Sequence, residues 1–177
     1  MCTFPSSELN TINAFLAQGV LENNVYVPNP SKRVCETIQG AFSGAHVTQE
    51  TIGELLATTQ HQYDVVFLDY MCTAQGNTTT KPSRDVQQLF SRKLIKTPGI
   101  IATTFCKRNS QENQQERLMF ETAMASGYRL MPLWSQVYQP AMVVTAYLVR
   151  ETVGFTIEME AFPQLTRKRN AQSYWLR

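Results

Sequence analysis

The residues best suited to chemistry stand at the end of an apolar run in the sequence YDVVFLDYMCT, residues 63–73. The run VVFL is bounded by Asp64 and Asp69, and Tyr70 follows directly. A carboxylate at Asp69 can accept a proton or orient an amine nucleophile, and the ring of Tyr70 can stack on a base or on adenine. The alternative is that Asp69 only ends a strand by bonding loop amides, with Tyr70 packed in the core.

Basic side chains form a second group of candidates. Lys107 and Arg108 follow a predicted buried strand and suit a phosphate or a substrate carboxylate. Lys81 and Arg84 would extend them into a basic rim, although surface solubility explains these charges equally well. Four more basic residues and no acid lie in the last 11 residues, namely Arg167, Lys168, Arg169 and Arg177. Such a tail binds phosphate or nucleic acid, unless it is only a solvated terminus.

Polar residues before a predicted N-terminal helix form a third group, which consists of Ser6, Ser7, Asn10 and Thr11. The N-terminus of a helix with hydroxyl groups is a natural site for an anion or a carboxylate. The alternative for these residues is ordinary N-capping. His46 follows the start of a short predicted strand and can hydrogen-bond a ligand there, or it is a surface or capping residue.

The cysteines and histidines form no metal-binding pattern. The four cysteines are far apart in the sequence, no CxxC is present, and the two histidines do not complete a zinc motif. We therefore expect no metal, and reduced thiols in an intracellular, cytoplasmic protein. Cys72 and Cys106 both follow predicted strands, so we expect them near each other at one sheet edge as inert thiols.

The composition is that of an ordinary globular domain. The chain has 177 residues, of which 43% are hydrophobic and 17% charged, with a net charge of +2. We expect one α/β domain over residues 1–150 and a C-terminal extension with a basic tail over residues 151–177. No signal peptide is evident, and no stretch approaches the roughly 18 consecutive apolar residues of a membrane span.

Hydrophobic periodicity predicts the elements that must position these residues. The predicted helices are one capped by Ser6 or Ser7 that stops at Gly19, one from Ser31 to Gly40, 49–59 capped by Thr48, one from Pro82 with the inward stripe Val86, Leu89, Phe90, Leu94 and Ile95, and 110–126. The predicted strands are 24–29, 45–47, 64–69, 100–105, 128–133 and 141–149. Pro98-Gly99 marks a turn, and a polar loop separates the last two strands.

Strands that alternate with helices predict a mostly parallel, doubly wound sheet with helices on both faces. The ending is different, because two strands follow each other without a helix. We therefore expect the sheet to end in an antiparallel strand pair. In a doubly wound sheet, ligands bind outside the carboxyl ends of the strands, which is where Asp69 would emerge.

Three stretches give the chain a resemblance to the class I S-adenosylmethionine-dependent methyltransferases. YDVVFLDY resembles the family's fourth strand, which ends in an acid at the substrate side. LFSRKLIKTPGIIATTF, residues 89–105, resembles the following helix and the fifth strand. GYRLMPLWSQVYQPAMVVTAYLVR, residues 127–150, resembles the sixth and seventh strands, the last of which is antiparallel in that family.

The front of the chain departs from the pattern of that family. The family's first strand ends in a glycine-rich turn, because a Cβ there would block the close approach of the cofactor. Only Met1 to Phe4 remains for this strand, Pro5 follows it, and no GxGxG occurs anywhere in the chain. The second strand of the family ends in an acid that binds the ribose hydroxyls, and Asn29 stands at the matching place.

The resemblance implies a site for S-adenosylmethionine at the carboxyl edge of the sheet. The residues it assigns to the cofactor are Ser6, Asn10, Thr11, Asn29, His46 and Asp69. Asp69 and Tyr70 would be catalytic, and Met71, Lys107 and Arg108 would contact the substrate, for which nucleic acid is favoured. The alternative is an inactive methyltransferase-like domain that serves as a structural or binding component of a larger assembly.

Overall fold

The computed structural model describes residues 2–3, 9–106, 114–139 and 141–152. The predictions for Ser6, Ser7, Lys107, Arg108 and the basic tail lie outside these ranges. The strands are β1 Cys2–Thr3, β2 Tyr26–Pro28, β3 His46–Thr48, β4 Tyr63–Asp69, β5 Ile95–Cys106, β6 Tyr128–Gln139 and β7 Met142–Glu151. The helices are α1 Asn10–Ala17, α2 Lys32–Ala41, α3 Ile52–Thr58, α4 Pro82–Ser91 and α5 Gln114–Ala125, with a short 3₁₀ helix at Glu22–Asn24.

The seven strands form one sheet in the order β3-β2-β1-β4-β5-β7-β6. Strands β1 to β5 run parallel, and β7 lies antiparallel between β5 and β6. This order confirms the predicted mostly parallel α/β sheet that ends in an antiparallel pair. The chain order reverses between β1 and β4, so the carboxyl end of β4 lies beside the switch point of the sheet.

Helices cover both faces of the sheet. One apolar cluster joins α1 and α2 to β2 through Ile12, Ile38 and Val27. A larger cluster joins α3, α4 and α5 to the central strands. Val66 belongs to the larger cluster while its neighbour Val65 packs against the other, and successive strand residues point to opposite faces. The two clusters are therefore the two sides of a doubly wound sheet.

Two helix starts differ from the sequence prediction. Thr48 ends β3, and α3 is capped instead by Thr51, which forms a reciprocal capping box with Glu54. Leu9, rather than Ser6 or Ser7, occupies the N-cap position of α1 with a φ of 59°. The Leu9 side chain packs against the apolar cluster of α1 and α2. Apolar packing therefore determines where α1 begins, and no side-chain hydrogen bond caps it.

Strand β5 is longer than the sequence predicts. Pro98 and Gly99 lie inside β5, where the pairing with β4 shifts between Ile95 and Ile100. A Cβ at residue 99 would overlap the carbonyl oxygen of Lys96, so this irregular segment requires glycine. Leu94 and Ile95, predicted on the stripe of α4, lie beyond its end at Ser91.

The predicted polar loop at 134–140 is instead mostly strand. β6 continues to Gln139 and stays paired with β7 across two register irregularities. Polar residues are tolerated there because β6 is the edge strand of the sheet and residues 131–137 are all exposed. No helix in the described part of the chain is long and apolar enough to cross a membrane.

Candidate functional site

A cavity of about 670 Å³ opens at the carboxyl edge of the sheet. The end of β4, the first turns of α3 and α4, and the loop before α4 form its walls. Pockets of about 300–1,000 Å³ are typical for small molecules and cofactors. Its lining consists of Pro30, Thr51, Ile52, Gly53, Glu54, Ala57, Leu68, Asp69, Tyr70, Met71, Thr79, Thr80, Lys81, Arg84 and Asp85.

Asp69 is the last residue of the central strand and lines this cavity. It lies opposite Thr104 of β5, whose hydroxyl donates to the carboxylate. Its Oδ1 is buried and has no hydrogen-bonding partner among the described residues. Burial raises the pKa of Asp69, and the bond from Thr104 opposes that rise. The carboxylate thus retains an acceptor oxygen that a ligand N–H can satisfy.

Tyr70 turns into the core. Its ring is 4% exposed and stacks on Phe105 with 5.3 Å between the ring centroids. Its hydroxyl donates to Oδ2 of Asp85 at 3.0 Å. The prediction that this ring stacks on a base or on adenine is therefore corrected, because the ring has almost no exposed face. Tyr70 instead positions the carboxylate of Asp85.

Asp85 is a site residue that the sequence reasoning missed. It lies in the first turn of α4, is 5% exposed and lines the cavity. Acidic residues are common in the first turns of helices because they complement the helix dipole, so an aspartate at this position does not by itself indicate a site. Its spacing indicates that it points inward, because it precedes the buried Leu89 by four residues and lies on the same face of the helix.

The α3 helix approaches Asp85 closely at Gly53. A Cβ at that position would lie 2.6 Å from Oδ1 of Asp85. Glycine therefore gives the buried carboxylate room beside the backbone of α3. Burial raises the pKa of Asp85, while the hydroxyl of Tyr70 and the charge of Arg84 oppose that rise.

The loop before α4 is folded on itself and brings basic groups to the cavity. Oδ1 of Asn77 accepts from the backbone N–H groups of Thr79 and Thr80 at 2.9 and 2.8 Å. This turn leads directly into Lys81 and Arg84, which line the cavity. The lining therefore combines three carboxylates, those of Glu54, Asp69 and Asp85, with two cations, and this mixture of charges suits a polar ligand that offers both hydrogen-bond donors and acceptors.

Three further residues predicted to bind the cofactor lie after β2 and at the start of α1. Asn29 follows β2 at the carboxyl edge, where it is 6% exposed and its Oδ1 accepts from the backbone N–H of Ser31 at 2.9 Å. Asn10 and Thr11 open α1. None of these three residues lines the cavity, although Pro30, which follows Asn29, does.

His46 is at the wrong end of the sheet for the predicted role. It is the first residue of β3 and lies opposite Tyr26, the first residue of β2, whereas ligands bind beyond the last residues of parallel strands. Its ring stacks on that of Tyr26 at 4.5 Å, and its Nε2 lies 2.9 Å from the carbonyl oxygen of Asn23. His46 is therefore an edge residue of the amino end.

Met71 and the two edge cysteines complete this region. Met71 is 76% exposed and lines the cavity, as its predicted contact with substrate requires. The backbone N–H of Cys106 donates to the carbonyl oxygen of Cys72 at 2.9 Å, which confirms that the two cysteines are neighbours. Burial raises the pKa of Cys72, so its thiol is protonated at neutral pH. Among the described residues, no three His, Cys, Asp or Glu side chains group to hold a metal ion.

Replacing Asp85 with Asn is expected to reduce the loss of stability that rising pH causes. A carboxyl whose pKa is raised by folding stabilises the protein below its unfolded pKa, and this contribution is lost as the pH rises through the folded pKa. For Asp85 that loss begins above the ordinary value of 3.8. Urea unfolding from pH 4 to 8 should show a stability difference, variant minus wild type, that increases with pH. A constant difference would contradict an ionisable buried Asp85.

Comparison with known proteins gives a match in fold but not in sequence. No protein-family model matches the chain, and no curated protein matches it significantly. A Haemophilus influenzae protein named as a candidate methylase shares 16% identity at a TM-score of 0.59, covering 85% of this chain and 86% of that one. A candidate Escherichia coli methyltransferase shares 13% at a TM-score of 0.61, covering 85% and 76%.

A third similar structure is named as a candidate rRNA methylase of Clostridium thermocellum. It shares 13% identity at a TM-score of 0.56, with 84% of this chain and 87% of that chain covered. At such identities the likeness concerns the fold. Together with the strand order, it shows that the chain has the class I methyltransferase fold.

Proposed function

We propose that this chain, which has the class I methyltransferase fold, transfers a methyl group from S-adenosylmethionine to a nucleic acid. The observation that carries the proposal is the carboxylate of Asp69. It ends the central strand beside the switch point of the sheet, lines the cavity and keeps one buried acceptor oxygen without a partner among the described residues. Buried polar atoms are normally paired, so such an oxygen is suited to a ligand.

Residues that line the cavity, together with polar residues outside its lining, would fit the groups of S-adenosylmethionine. Pro30 and Ile52 offer apolar surface for the adenine, and the cavity volume of about 670 Å³ suits a ligand of this size. Asn29 precedes the lining residue Pro30 without lining the cavity itself, and its amide would bond the ribose hydroxyls. Asn10 and Thr11, with Ser6 before them, would hold the amino-acid end at the start of α1. When bound, the cofactor supplies a methyl group activated by a sulfonium.

The protein's contribution to the reaction would be orientation and proton acceptance. Oδ1 of Asp69 accepts a hydrogen bond from the acceptor N–H and so orients the nitrogen lone pair toward the methyl group. The hydroxyl of Thr104 fixes the carboxylate. The raised pKa of Asp69 makes it a better base than an exposed aspartate, while positioning supplies most of the rate enhancement. Tyr70 acts indirectly, through Asp85.

Basic residues support nucleic acid as the acceptor. Lys81 and Arg84 line the cavity, and Lys107 and Arg108 follow β5 in the sequence. Cations beside a pocket bind backbone phosphates and place a base without reading sequence. The basic tail of the extension 151–177 would add to this affinity. The free Cys35, Cys72 and Cys106 support an intracellular, cytoplasmic location.

A second candidate is an inactive methyltransferase-like module within a larger assembly. The observation that favours it is the site for the ribose. Asn29 replaces an acid there, its Oδ1 already accepts from Ser31, and the chain has no GxGxG. A carboxylate can accept from two hydroxyls at once, whereas the amide oxygen of Asn29 is partly used.

Calorimetric titration with S-adenosylmethionine separates the two candidates. For an enzyme we expect a binding isotherm, with affinity lowered about tenfold by Asn29→Ala through the loss of one or two hydrogen bonds. The exposed Asn23→Ala is the matched control and should bind like the wild type. Thermal unfolding of each variant checks that the fold is retained. No heat at millimolar cofactor would reject the methyltransferase and favour the inactive module.

A further inference from the structure

We infer that Asp85 is the residue with which this cavity recognises the exocyclic amino group of a nucleobase. The inference rests on the proposed function, because it assigns a specificity-determining residue to the same site. The group recognised is the amino group of adenine or of a similar base, and Asp85 on α4 accepts a hydrogen bond from it.

The geometry around Asp85 leaves one carboxylate oxygen for a ligand. The hydroxyl of Tyr70 donates to Oδ2 at 3.0 Å. The other oxygen, Oδ1, faces the position where a side chain on Gly53 would begin. Asp85 lines the cavity although it is 5% exposed. Oδ1 therefore occupies the space beside the backbone of Gly53, and because both residues line the cavity, a ligand there would meet this oxygen where α3 and α4 approach each other.

The burial of this carboxylate has a cost that one neutral hydroxyl does not offset. Taking a charged group out of water is unfavourable unless it is paired and hydrogen-bonded. Arg84 is the charged neighbour with an opposing effect on the pKa, and that effect is smaller than the effect of burial. An ionised carboxylate only accepts hydrogen bonds, so a ligand that relieves this cost must present N–H or O–H donors.

The remaining walls suit the rest of a nucleotide. Pro30, Ile52 and Leu68 give apolar surface for a flat ring. Lys81 and Arg84 supply cations for a phosphate. An amino-bearing base would point its N–H groups toward Asp85 while its ring contacts the apolar wall. A base with an oxo group in place of the amino group would instead set oxygen against oxygen.

Two ligands could present this amino group to Asp85, namely the adenosine part of the cofactor and the target nucleotide of the nucleic acid. Titration of adenosine in the presence of saturating S-adenosylhomocysteine separates them. Lost adenosine binding assigns the amino group to the cofactor, and retained binding assigns it to the target nucleotide. Both results are compatible with recognition by Asp85, so the role of this residue is tested on the exchange of the amino group itself.

The test compares adenosine with inosine, in which an oxo group replaces the amino group. The wild-type chain should bind adenosine about tenfold more tightly, which is the effect of one hydrogen bond to a charged group. Asp85→Asn should abolish or reverse this preference. Its carbonyl oxygen can keep the bond from Tyr70, which turns the amide NH₂ toward the cavity to donate to an oxo group. A purely structural role of Asp85 predicts weaker binding of both nucleosides without reversal.

Three variants complete the experiment. Asp64→Asn is the matched control, because Asp64 is an exposed aspartate at the amino end of β4, where it pairs with Lys96. This variant should keep the adenosine preference. Gly53→Ala should weaken adenosine binding without changing the charge. Tyr70→Phe should keep the preference while lowering affinity. Thermal unfolding monitors the fold of each variant, and Gly53→Ala keeps the inference testable if Asp85→Asn does not fold.

Equal binding of adenosine and inosine by the wild type, or binding of neither, would overturn the inference. An unchanged preference in Asp85→Asn would also overturn it. These results are separate from the fate of the proposed function. A chain that binds S-adenosylmethionine but discriminates no nucleosides keeps the function and loses the inference, whereas nucleoside discrimination without binding of the methyl donor does the reverse.

Discussion

Replacing Asp69 with Asn is expected to lower the rate of methyl transfer by about 10²- to 10⁴-fold, the range for loss of a general base. The substitution keeps the size and the planar shape of the side chain. It removes the negative charge and gives Thr104 an amide partner in place of a carboxylate. The measurement is transfer of labelled methyl groups from S-adenosylmethionine to unmodified transcribed RNA and to unmethylated DNA, at saturating cofactor.

The effect should fall on the chemical step more than on binding. Because Oδ1 has no partner among the described residues, its hydrogen bond would form with the acceptor N–H and strengthen as the nitrogen gains positive charge during methyl transfer, before the proton passes to the carboxylate. The rate at saturating cofactor and acceptor should therefore decrease, while calorimetric affinity for the cofactor changes only a few-fold. A rate loss that disappears at high cofactor concentration would assign Asp69 to cofactor binding alone.

Two control variants make this result specific. Asp64→Asn changes the same residue type at the other end of β4, where the side chain is 67% exposed, and should leave the rate unchanged. Thr104→Val removes the hydroxyl that lowers the pKa of Asp69. Its rate should reach the plateau at a higher pH than the wild-type rate, since the base must lose its proton to act. An Asp69→Asn protein as active as the wild type would remove the proposed role.

The position of Asp69 was predictable from the sequence because it depends on local pattern. The run VVFL between two aspartates indicates a buried strand, and strands alternating with helices indicate a parallel sheet. In such a sheet every strand end that leads into a helix falls on one edge. The order of the last three strands came instead from the resemblance to the methyltransferases, and it is confirmed by β7 lying between β5 and β6.

The errors concern interactions that the local pattern does not contain. His46 was assigned to the ligand edge, but β3 begins at this residue, so it lies at the amino end of the strand, whereas ligands bind beyond the carboxyl ends. Tyr70 has an aromatic partner 35 positions later, in Phe105. The cavity itself joins α3, β4 and α4, and no single stretch of sequence indicates that Gly53 faces Asp85.

Replacing Phe105 with Ala is expected to lower the free energy of unfolding by about 3–5 kcal/mol, the usual cost of removing a buried phenyl ring. Phe105 is fully buried at the end of β5. The substitution should also weaken adenosine binding, because its ring supports Tyr70, and Tyr70 in turn holds Asp85. Urea unfolding and nucleoside titration measure the two effects on the same preparations.

Comparison with two milder changes separates support of the site from general destabilisation. Ile100→Ala lies on the same strand but is 37% exposed, so it should cost less stability and leave nucleoside binding intact. Phe105→Leu keeps much of the buried volume and should cost less than the alanine variant, while it loses the stacked ring beside Tyr70. Weaker adenosine binding in Phe105→Leu at nearly normal stability would show that the ring stack positions the wall of the cavity. Wild-type binding in that variant would limit Phe105 to the core, because the wall formed by Tyr70 and Asp85 would then hold without the stacked ring.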